Sequence, residues 1–235
     1  MGLDLVQYEQ LCAKLKSKKI YTSKYGLRFI NSIKKELNPF VSYDGLPNIR
    51  NFFFEIVPIV RVAQHLNYSH FTYFGANFSF DGLLIDNKNK TLRHIECTSA
   101  IDGAKAELLN QHLIKYEEAP AYDKPFTNNK TKASGKRQVL FTPSQSHKDE
   151  DLVNLNLKFL VEDSINKKIK KSYDFKNAVL TIVFVEDGLW RVYDSIYQML
   201  DSVIDAHMDQ LKDSPFSDIF FIGFRNFFYT RSLKL

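Results

Sequence analysis

The chain has 235 residues, of which 44% are hydrophobic and 25% charged, as in an ordinary folded domain. These proportions exclude wholesale disorder, and the low counts of glycine (9) and proline (7) exclude collagen-like and low-complexity architectures. The formal net charge is +5, and two stretches, 10–35 and 124–148, contain basic residues but no acids. Such stretches attract polyanions, because each contact with a phosphate releases condensed counterions. A solvated basic surface without a partner is the alternative interpretation.

The sequence contains no run of 18 or more apolar residues, so neither a transmembrane helix nor a membrane partner is expected. The first ten residues carry acids and lack a long apolar region, so no signal peptide is expected. The two cysteines, Cys12 and Cys97, are too few for a disulfide framework or a cysteine zinc site. A reducing, cytoplasmic location is therefore predicted.

Two short basic helices are predicted near the N-terminus, at residues 5–19 and 25–37, because apolar residues recur there at helical spacing. They belong to a basic helical segment, residues 1–47, that is expected to pack on an α/β core. That core is predicted to comprise residues 48–235, so the chain is expected to form a single domain.

The predicted core begins with a strongly apolar helix at residues 51–66. Pro58 is expected to kink this helix, because proline removes one backbone hydrogen bond. Glu55 lies within the apolar run, where a charge is costly unless it is paired or bound to a metal ion. Glu55 can instead occupy the solvated side of an amphipathic helix, beside Arg50 or Arg61.

A β-hairpin is predicted at residues 77–100, with a polar turn at 87–90. If the strands pair symmetrically about this turn, Asp81 lies directly opposite Glu96, with Cβ atoms about 5 Å apart on one face. Two carboxylates at that distance repel each other unless a cation compensates them, and a hard divalent ion is the usual one. A change of register by one residue would separate them onto opposite faces. His94 shares the predicted face.

The second half of the core is predicted to alternate helices with buried strands, which favours an α/β sandwich with a mixed sheet. The C-terminal residues 226–235 are expected to be exposed and available for pairing with another subunit. The predicted helices are 104–118, 150–171 (with a strand as the alternative around 155–159) and 189–211, and the predicted strands are 138–141, 178–185 and 218–224.

The order of these features resembles the PD-(D/E)XK nuclease superfamily. Glu55 lies on a helix, Asp81 on the first hairpin strand, and Glu96-Cys97-Thr98 on the second strand, before the next helix. The resemblance covers most of the predicted core. It implies a restriction-endonuclease-like α/β fold, a three-layer sandwich in which helices flank a central mixed β-sheet.

The resemblance also implies metal-dependent hydrolysis of phosphodiester bonds, with DNA or RNA as the partner and Mg²⁺ or Mn²⁺ as the cofactor. Asp81, Glu96 and the backbone carbonyl of Cys97 would hold the ion, and Glu55 would complete its shell or orient water. The ion would polarise the scissile phosphate and lower the pKa of its bound water. Duplex-cutting enzymes of this kind often need two sites, so a homodimer is one expected assembly. The alternatives are an inactive nuclease-like protein that binds nucleic acid, and an interaction domain whose charge is incidental.

One position departs from the family pattern, because Thr98 stands where the signature lysine is expected. A lysine there would orient water and stabilise developing negative charge, whereas Thr98 can only donate a hydrogen bond. Lys105, one turn into the following predicted helix, is the expected substitute, and Gln111 is a weaker candidate. Contacts with nucleic acid are predicted to come from the second basic stretch, through Lys130, Lys132, Lys136 and Arg137.

Overall fold

The computed structural model of the chain describes residues 5–34, 47–75, 78–101, 127–130, 137–140, 149–184, 193–223 and 227–234. Within these residues, a mixed sheet of seven strands is covered by helices on both faces, so the predicted α/β class and mixed sheet are confirmed. None of the helices in the described ranges is long and apolar enough to cross a membrane.

The strands of the main sheet are in the order β1-β2-β3-β4-β7-β8-β9, and β5 and β6 form a separate antiparallel pair. Strands β1 to β4 are antiparallel neighbours, β7 and β8 continue parallel to β4, and β9 returns antiparallel to β8. The strands are β1 (Tyr21–Thr22), β2 (His70–Tyr73), β3 (Gly82–Asp86), β4 (Thr91–Ala100), β5 (Thr127–Lys130), β6 (Arg137–Leu140), β7 (Ala178–Phe184), β8 (Phe216–Gly223) and β9 (Phe228–Ser232). The helices are α1 (Leu5–Cys12), α2 (Ser23–Lys34), α3 (Pro47–Asn51), α4 (Val57–His65), α5 (Asp149–Ile169), α6 (Tyr193–Ala206) and α7 (Met208–Asp213), with a π-helical turn (Phe52–Ile56) between α3 and α4.

Strand β7 is buried on both faces, as expected for a parallel strand in the centre of a sheet. Its side chains alternate between two hydrophobic clusters. Val179 and Val183 pack with residues of α2 and α4 on one face. Leu180 and Ile182 pack with residues of α5 and α6 on the other face. The sheet therefore separates an N-terminal helical layer from a C-terminal one.

The helix predicted at residues 51–66 is present, but its backbone hydrogen bonding changes from α-helical to π-helical before Pro58. The N–H of Val57 donates to the carbonyl of Phe52, five residues back, as in a π-helix. Pro58 has no N–H to donate and lies in the first turn of α4, where a helix tolerates proline. Glu55 lies inside the π turn, which packs on β4.

The C-terminal residues 226–235 were expected to be exposed and free to pair with another subunit. In the described part of this segment, β9 instead pairs with β8 of the same sheet, and Phe227 and Leu233 are buried. Pairing within the chain satisfies the backbone groups of β9 along one side and covers apolar side chains at the same time.

Other differences from the sequence predictions concern the N-terminal region. Helix α1 ends at Cys12 rather than near residue 19. Strands β1 and β2 were not predicted, because a two-residue and a four-residue strand carry little periodicity. The predicted helix at 104–118 lies outside the described residues.

Gly82 begins β3 at a crowded contact between α4 and the sheet. A Cβ atom at this position would lie 2.7 Å from the Ile59 Cδ1 atom and 2.7 Å from the carbonyl oxygen of Thr72. Because the Thr72 oxygen belongs to the backbone, it cannot move aside as a side-chain end can. We expect Gly82→Ala to lower the free energy of unfolding by about 1–3 kcal/mol, measured by urea denaturation. Asn31→Ala, at an exposed position of α2, should change it by less than about 0.5 kcal/mol, and equal effects of the two substitutions would contradict this packing argument.

Candidate functional site

The pairing register of the predicted hairpin is confirmed over most of its length. Asp86 pairs with Thr91, and pairing symmetric about the turn continues to Gly82 and Ile95. Regular pairing then ends, and the N–H of Asp81 donates to the carbonyl of Ile95 at 3.1 Å. Asp81 and Gly82 thus both lie opposite Ile95, as in a β-bulge. The symmetric register predicted that Asp81 lies directly opposite Glu96. This prediction is wrong, because the bulge shifts Asp81 by one position.

The bulge places the Asp81 carboxylate at the edge of β4. Its Oδ2 atom accepts the backbone N–H of Cys97 at 2.6 Å. A regular continuation of β3 would supply a carbonyl to this N–H, so the carboxylate replaces a missing bond of the ladder. The replacement fixes Asp81 beside the point where β3 leaves β4.

The Glu96 side chain lies on the opposite side of β4 from Ile95 and Cys97, and it is only 2% exposed. Its Oε1 atom accepts hydrogen bonds from Lys168 Nζ at 2.6 Å and from Lys171 Nζ at 3.0 Å. The Tyr173 hydroxyl lies 3.5 Å from the same oxygen. A buried carboxylate needs such compensation, because an unpaired charge in the interior is very costly. Glu96 is therefore the centre of a buried charge network.

Both lysines come from the C-terminal end of α5 and its immediate continuation. Residues three apart on a helix share a face, so Lys168 and Lys171 can reach the same carboxylate. The Ser164 hydroxyl, one turn earlier, donates to the carbonyl of Ser99 at 3.1 Å and holds this face of α5 against β4. The phase of the helix is thus set by polar as well as apolar contacts.

Glu55 approaches the cluster from the N-terminal helical layer. Its pKa is raised to about 7, first by burial and then by the nearby charges of Asp81 and Glu96, against the opposing effects of Arg50 and Lys168. Its Oε2 atom is buried and has no hydrogen-bond partner among the described residues. Glu55 is therefore electrostatically part of the same site, although it enters from the other face of the sheet.

Asp81 shares this perturbation. Burial is the main cause that raises its pKa to about 6, and the charge of Glu96 adds to it. The N–H of Cys97 and the ammonium groups of Lys168 and Lys171 act in the opposite direction. Strongly perturbed carboxylates that influence one another are typical of functional sites, although structural ion networks show the same effect.

The other sequence candidates on β4 have different surroundings. Thr98 is half-buried two residues after Glu96, on the same face. Cys97 is a buried free thiol, and burial raises its pKa well above the ordinary value, which makes it unreactive. The His94 ring stacks on Phe175 with centroids 4.5 Å apart, and burial lowers its pKa.

Several predicted residues cannot be placed in the site. Lys105, Gln111, Lys132 and Lys136 lie outside the described residues. Lys130 and Arg137 are paired positions at the ends of β5 and β6, and only their backbone is described.

Lys168 and Lys171 were missed by the sequence reasoning. They belong to the run Lys167-Lys168-Ile169-Lys170-Lys171, in which composition alone does not show which lysine faces the sheet. The inward-facing side of α5 is marked by the buried residues Val161 and Ile165. Extending their helical stripe by three residues from Ile165 leads to Lys168, so the phase of α5 identifies the inward lysine.

The donor chemistry of the cluster fits a hard cation. Glu55 Oε2 and Glu96 Oε2 are buried oxygens without a hydrogen-bond partner within the described ranges. Mg²⁺ prefers oxygen ligands and keeps several water molecules, so two carboxylates with a carbonyl can bind it. In the described part of the chain, however, no three His, Cys, Asp or Glu side chains form a group close enough to hold a metal ion by themselves. Water or backbone oxygens would therefore have to complete the shell.

Comparisons of the chain with protein-family models, with curated proteins and with solved structures gave no match. The resemblance to the PD-(D/E)XK superfamily therefore stays a prediction from the order and spacing of residues. Evidence for a function comes instead from the geometry of the carboxylates and lysines described above.

The raised pKa values of Asp81 and Glu55 predict how the stability of the metal-free protein depends on pH. A carboxyl whose pKa is higher in the folded state stabilises the fold below its unfolded pKa, and this stabilisation is lost as the pH rises through the folded value. The free energy of unfolding should therefore fall from about pH 4 to pH 8, because the pKa of Asp81 is raised from its ordinary value of 3.8 to about 6 and that of Glu55 from 4.5 to about 7.

Urea denaturation in EDTA across this pH range measures the effect. Glu55→Gln and Asp81→Asn should each flatten the pH dependence and raise the unfolding midpoint at pH 8, because neither amide can ionise. Asp209→Asn, at an exposed position of α7, should leave the slope unchanged. An identical slope in wild type and in both site variants would show that these carboxyls are not perturbed.

Proposed function

We propose that the protein is a metal-dependent nuclease of restriction-endonuclease-like architecture, which hydrolyses phosphodiester bonds of nucleic acid. One observation carries the proposal. Glu55, Asp81 and Glu96 influence one another electrostatically at the point where β3 leaves β4. Lys168 and Lys171 bind the most deeply buried of the three carboxylates. Carboxylates with an adjacent lysine are the groups that this chemistry needs.

The order of the elements supports the proposed architecture. The π turn with Glu55 and α4 precede the hairpin of β3 and β4, which contains Asp81 and Glu96. Two further strands, β7 and β8, follow later, with α6 and α7 between them, and both run parallel to β4. The resemblance implies the same sequence of helix, acidic hairpin and later strands.

The cofactor that fits this donor set is Mg²⁺ or Mn²⁺. Asp81, Glu96 and the carbonyl of Cys97 would hold it, and Glu55 would complete the shell or orient water. The N–H of Cys97 points to Asp81, and the carbonyl of the same strand residue points to the same side. When bound, the ion supplies Lewis acidity that polarises a phosphate and lowers the pKa of a coordinated water.

Lys168 can perform the task of the missing signature lysine. It reaches Glu96 from α5 instead of from the second residue after Glu96, where Thr98 stands. Its ammonium group can stabilise the negative charge that develops on phosphate oxygens during hydrolysis. Lys171 is more exposed and also donates to the carbonyl of Ser79, so it can bind an incoming phosphate at the rim.

Glu55 can move a proton at neutral pH. In the metal-free protein a pKa of about 7 means that both forms of the carboxyl are populated at neutral pH, and a bound divalent ion would favour the ionised form, which accepts a proton. A general base is most effective when its pKa is near the ambient pH, because it is then available to accept a proton and able to return it. Glu55 is therefore the residue we assign to orient and deprotonate the attacking water.

A catalytically inactive protein that binds nucleic acid is the second candidate. It is favoured by the hydrogen bonds from two ammonium groups to Glu96 Oε1, which already compensate this charge. In that case the cluster is a structural network, and only the basic surfaces act on nucleic acid.

Cleavage assays with Mg²⁺ or Mn²⁺ on plasmid DNA and on labelled DNA and RNA strands separate the two candidates. We expect Asp81→Asn and Glu96→Gln to abolish cleavage. Lys168→Ala should reduce the rate roughly 100-fold, the effect of removing one charge-stabilising donor. The matched control is Lys167→Ala, because Lys167 is 71% exposed, pairs with Asp163 and should be dispensable.

Circular dichroism and denaturation should show that these variants are folded. Absence of cleavage by the wild type with every divalent ion would exclude the enzyme and leave the second candidate. Equal rates for Lys168→Ala and Lys167→Ala would remove Lys168 from the mechanism.

Divalent ions should stabilise the wild type independently of any cleavage. At an ion concentration of about 100 times Kd, linkage predicts a gain of about 2.7 kcal/mol in the free energy of unfolding. The gain should be larger at pH 8 than at pH 5.5, because Asp81 and Glu55 must lose their protons before they bind a cation. Thermal unfolding with and without Mn²⁺ measures it. Glu96→Gln should lose the gain and Asp209→Asn should keep it; stabilisation that Glu96→Gln retains in full would place the ion elsewhere.

A further inference from the structure

A strip along the β1 edge of the sheet consists of the exposed side chains of Lys18, Lys19, Tyr25 and Phe78 and the buried ring of Tyr21. Tyr25 is exposed and stacks on Tyr21 with centroids 5.7 Å apart. Phe78 is 42% exposed, and Lys18 Nζ lies 4.7 Å from the centre of its ring. Lys19 Nζ lies 5.7 Å from the Tyr21 ring. The strip thus combines two partly exposed aromatic rings, Tyr25 and Phe78, with cations.

The strip leads toward the carboxylates. Tyr21 pairs with Phe71 of β2, and the N–H of Lys18 donates to the carbonyl of Tyr73, two residues further along β2. Tyr73 pairs in turn with Gly82, the neighbour of Asp81. Moving along the strip from Tyr21 to Lys18 therefore approaches the candidate site.

The segment that contains Phe78 is also attached directly to the site. Lys171 Nζ donates to the carbonyl of Ser79 at 3.1 Å and to Glu96 Oε1 at 3.0 Å. The Phe78 ring lies 5.0 Å from that of Phe74, whose N–H donates to the carbonyl of Asp81. The backbone next to Phe78 is thus held by Lys171, the same lysine that binds Glu96.

The charged residues of the strip are all basic. Apart from Phe78, the strip belongs to the stretch 10–35, which has no acid. A phosphate backbone is therefore attracted along this edge. The cations that are exposed in the described part of this stretch are Lys14, Lys16, Lys18, Lys19, Lys24 and Arg28.

We propose that this strip binds a single-stranded segment of nucleic acid, with a base stacked on Phe78 and the phosphates following the lysines toward the carboxylates. The inference rests on the proposed function, because it names the form of substrate that the site receives. Bases in a duplex are stacked on each other, so their faces are not available to Phe78. Unpaired bases of any sequence stack on aromatic rings, and positive grooves follow their backbone.

Fluorescence anisotropy in EDTA tests binding without cleavage. The probes are labelled oligo-dT and oligo-U of about 12 nucleotides and a DNA duplex of equal length, at about 50 mM salt. Either single strand should bind more tightly than the duplex, and binding should weaken as salt rises. Phe78→Ala should weaken binding of the single strand about tenfold or more, and Phe78→Tyr should retain it. Lys18→Ala should reduce the salt dependence.

The matched control is Phe159→Ala, which removes a 66% exposed phenylalanine from α5 and should not alter binding. Equal binding by wild type and Phe78→Ala, or tighter binding to the duplex, overturns the inference. Self-association that depends on Phe78, without binding to nucleic acid, overturns it in favour of a second copy of the chain.

The inference and the proposed nuclease can fail separately. Binding of single strands through Phe78 by a wild type that cuts nothing supports the inference and rejects the nuclease. Cleavage of single strands by Phe78→Ala with unchanged KM and kcat supports the nuclease and rejects the inference.

Discussion

The burial of the Glu96 carboxylate in the sheet is the constraint on which the rest of the site depends. At 2% exposure this group is tolerated because Lys168 and Lys171 donate to it. The requirement fixes the rotation of α5 over β4, together with the Ser164 hydrogen bond to the backbone of β4. Apolar residues of similar volume often stabilise a core as well as or better than buried ion pairs. The proposed chemistry gives a reason for retaining charges here.

Among the described residues, the same arrangement leaves fewer positive than negative charges at the site. Three carboxylates, from Glu55, Asp81 and Glu96, face the two ammonium groups in contact with Glu96, with Arg50 acting on Glu55 alone. Without a further cation, protons must compensate the excess negative charge. This need contributes to the raised pKa values of Asp81 and Glu55. A divalent ion would supply the same compensation at higher pH. Proton binding and cation affinity therefore have one origin in this cluster.

Elements of the fold that follow from local sequence patterns were predicted from the sequence. The polar turn at 87–90 set the hairpin register, and the apolar run of β7 predicted a buried strand, because both signals are local. The bulge at Asp81 could not be predicted, since it arises where regular pairing ends beside the tight contact of Gly82 with α4. Which lysines face inward depends on the rotation of α5 about its axis, and this rotation is set by the packing of the helix on the sheet. The three acidic candidates, and Arg50 beside Glu55, were thus found in the sequence, whereas the two lysines that bind Glu96 were not.

The bulge connects the two proposals. Because β3 stops pairing at Gly82, the N–H of Cys97 is left for the Asp81 carboxylate, which becomes fixed at the edge of the sheet. Residues before Asp81 no longer pair regularly with β4, and Phe78 is exposed beside Lys18. A straight continuation of the hairpin would bond the Cys97 N–H with a backbone carbonyl and bring Phe78 into line with β4. One irregularity in the backbone therefore positions both the Asp81 carboxylate and the exposed Phe78 ring.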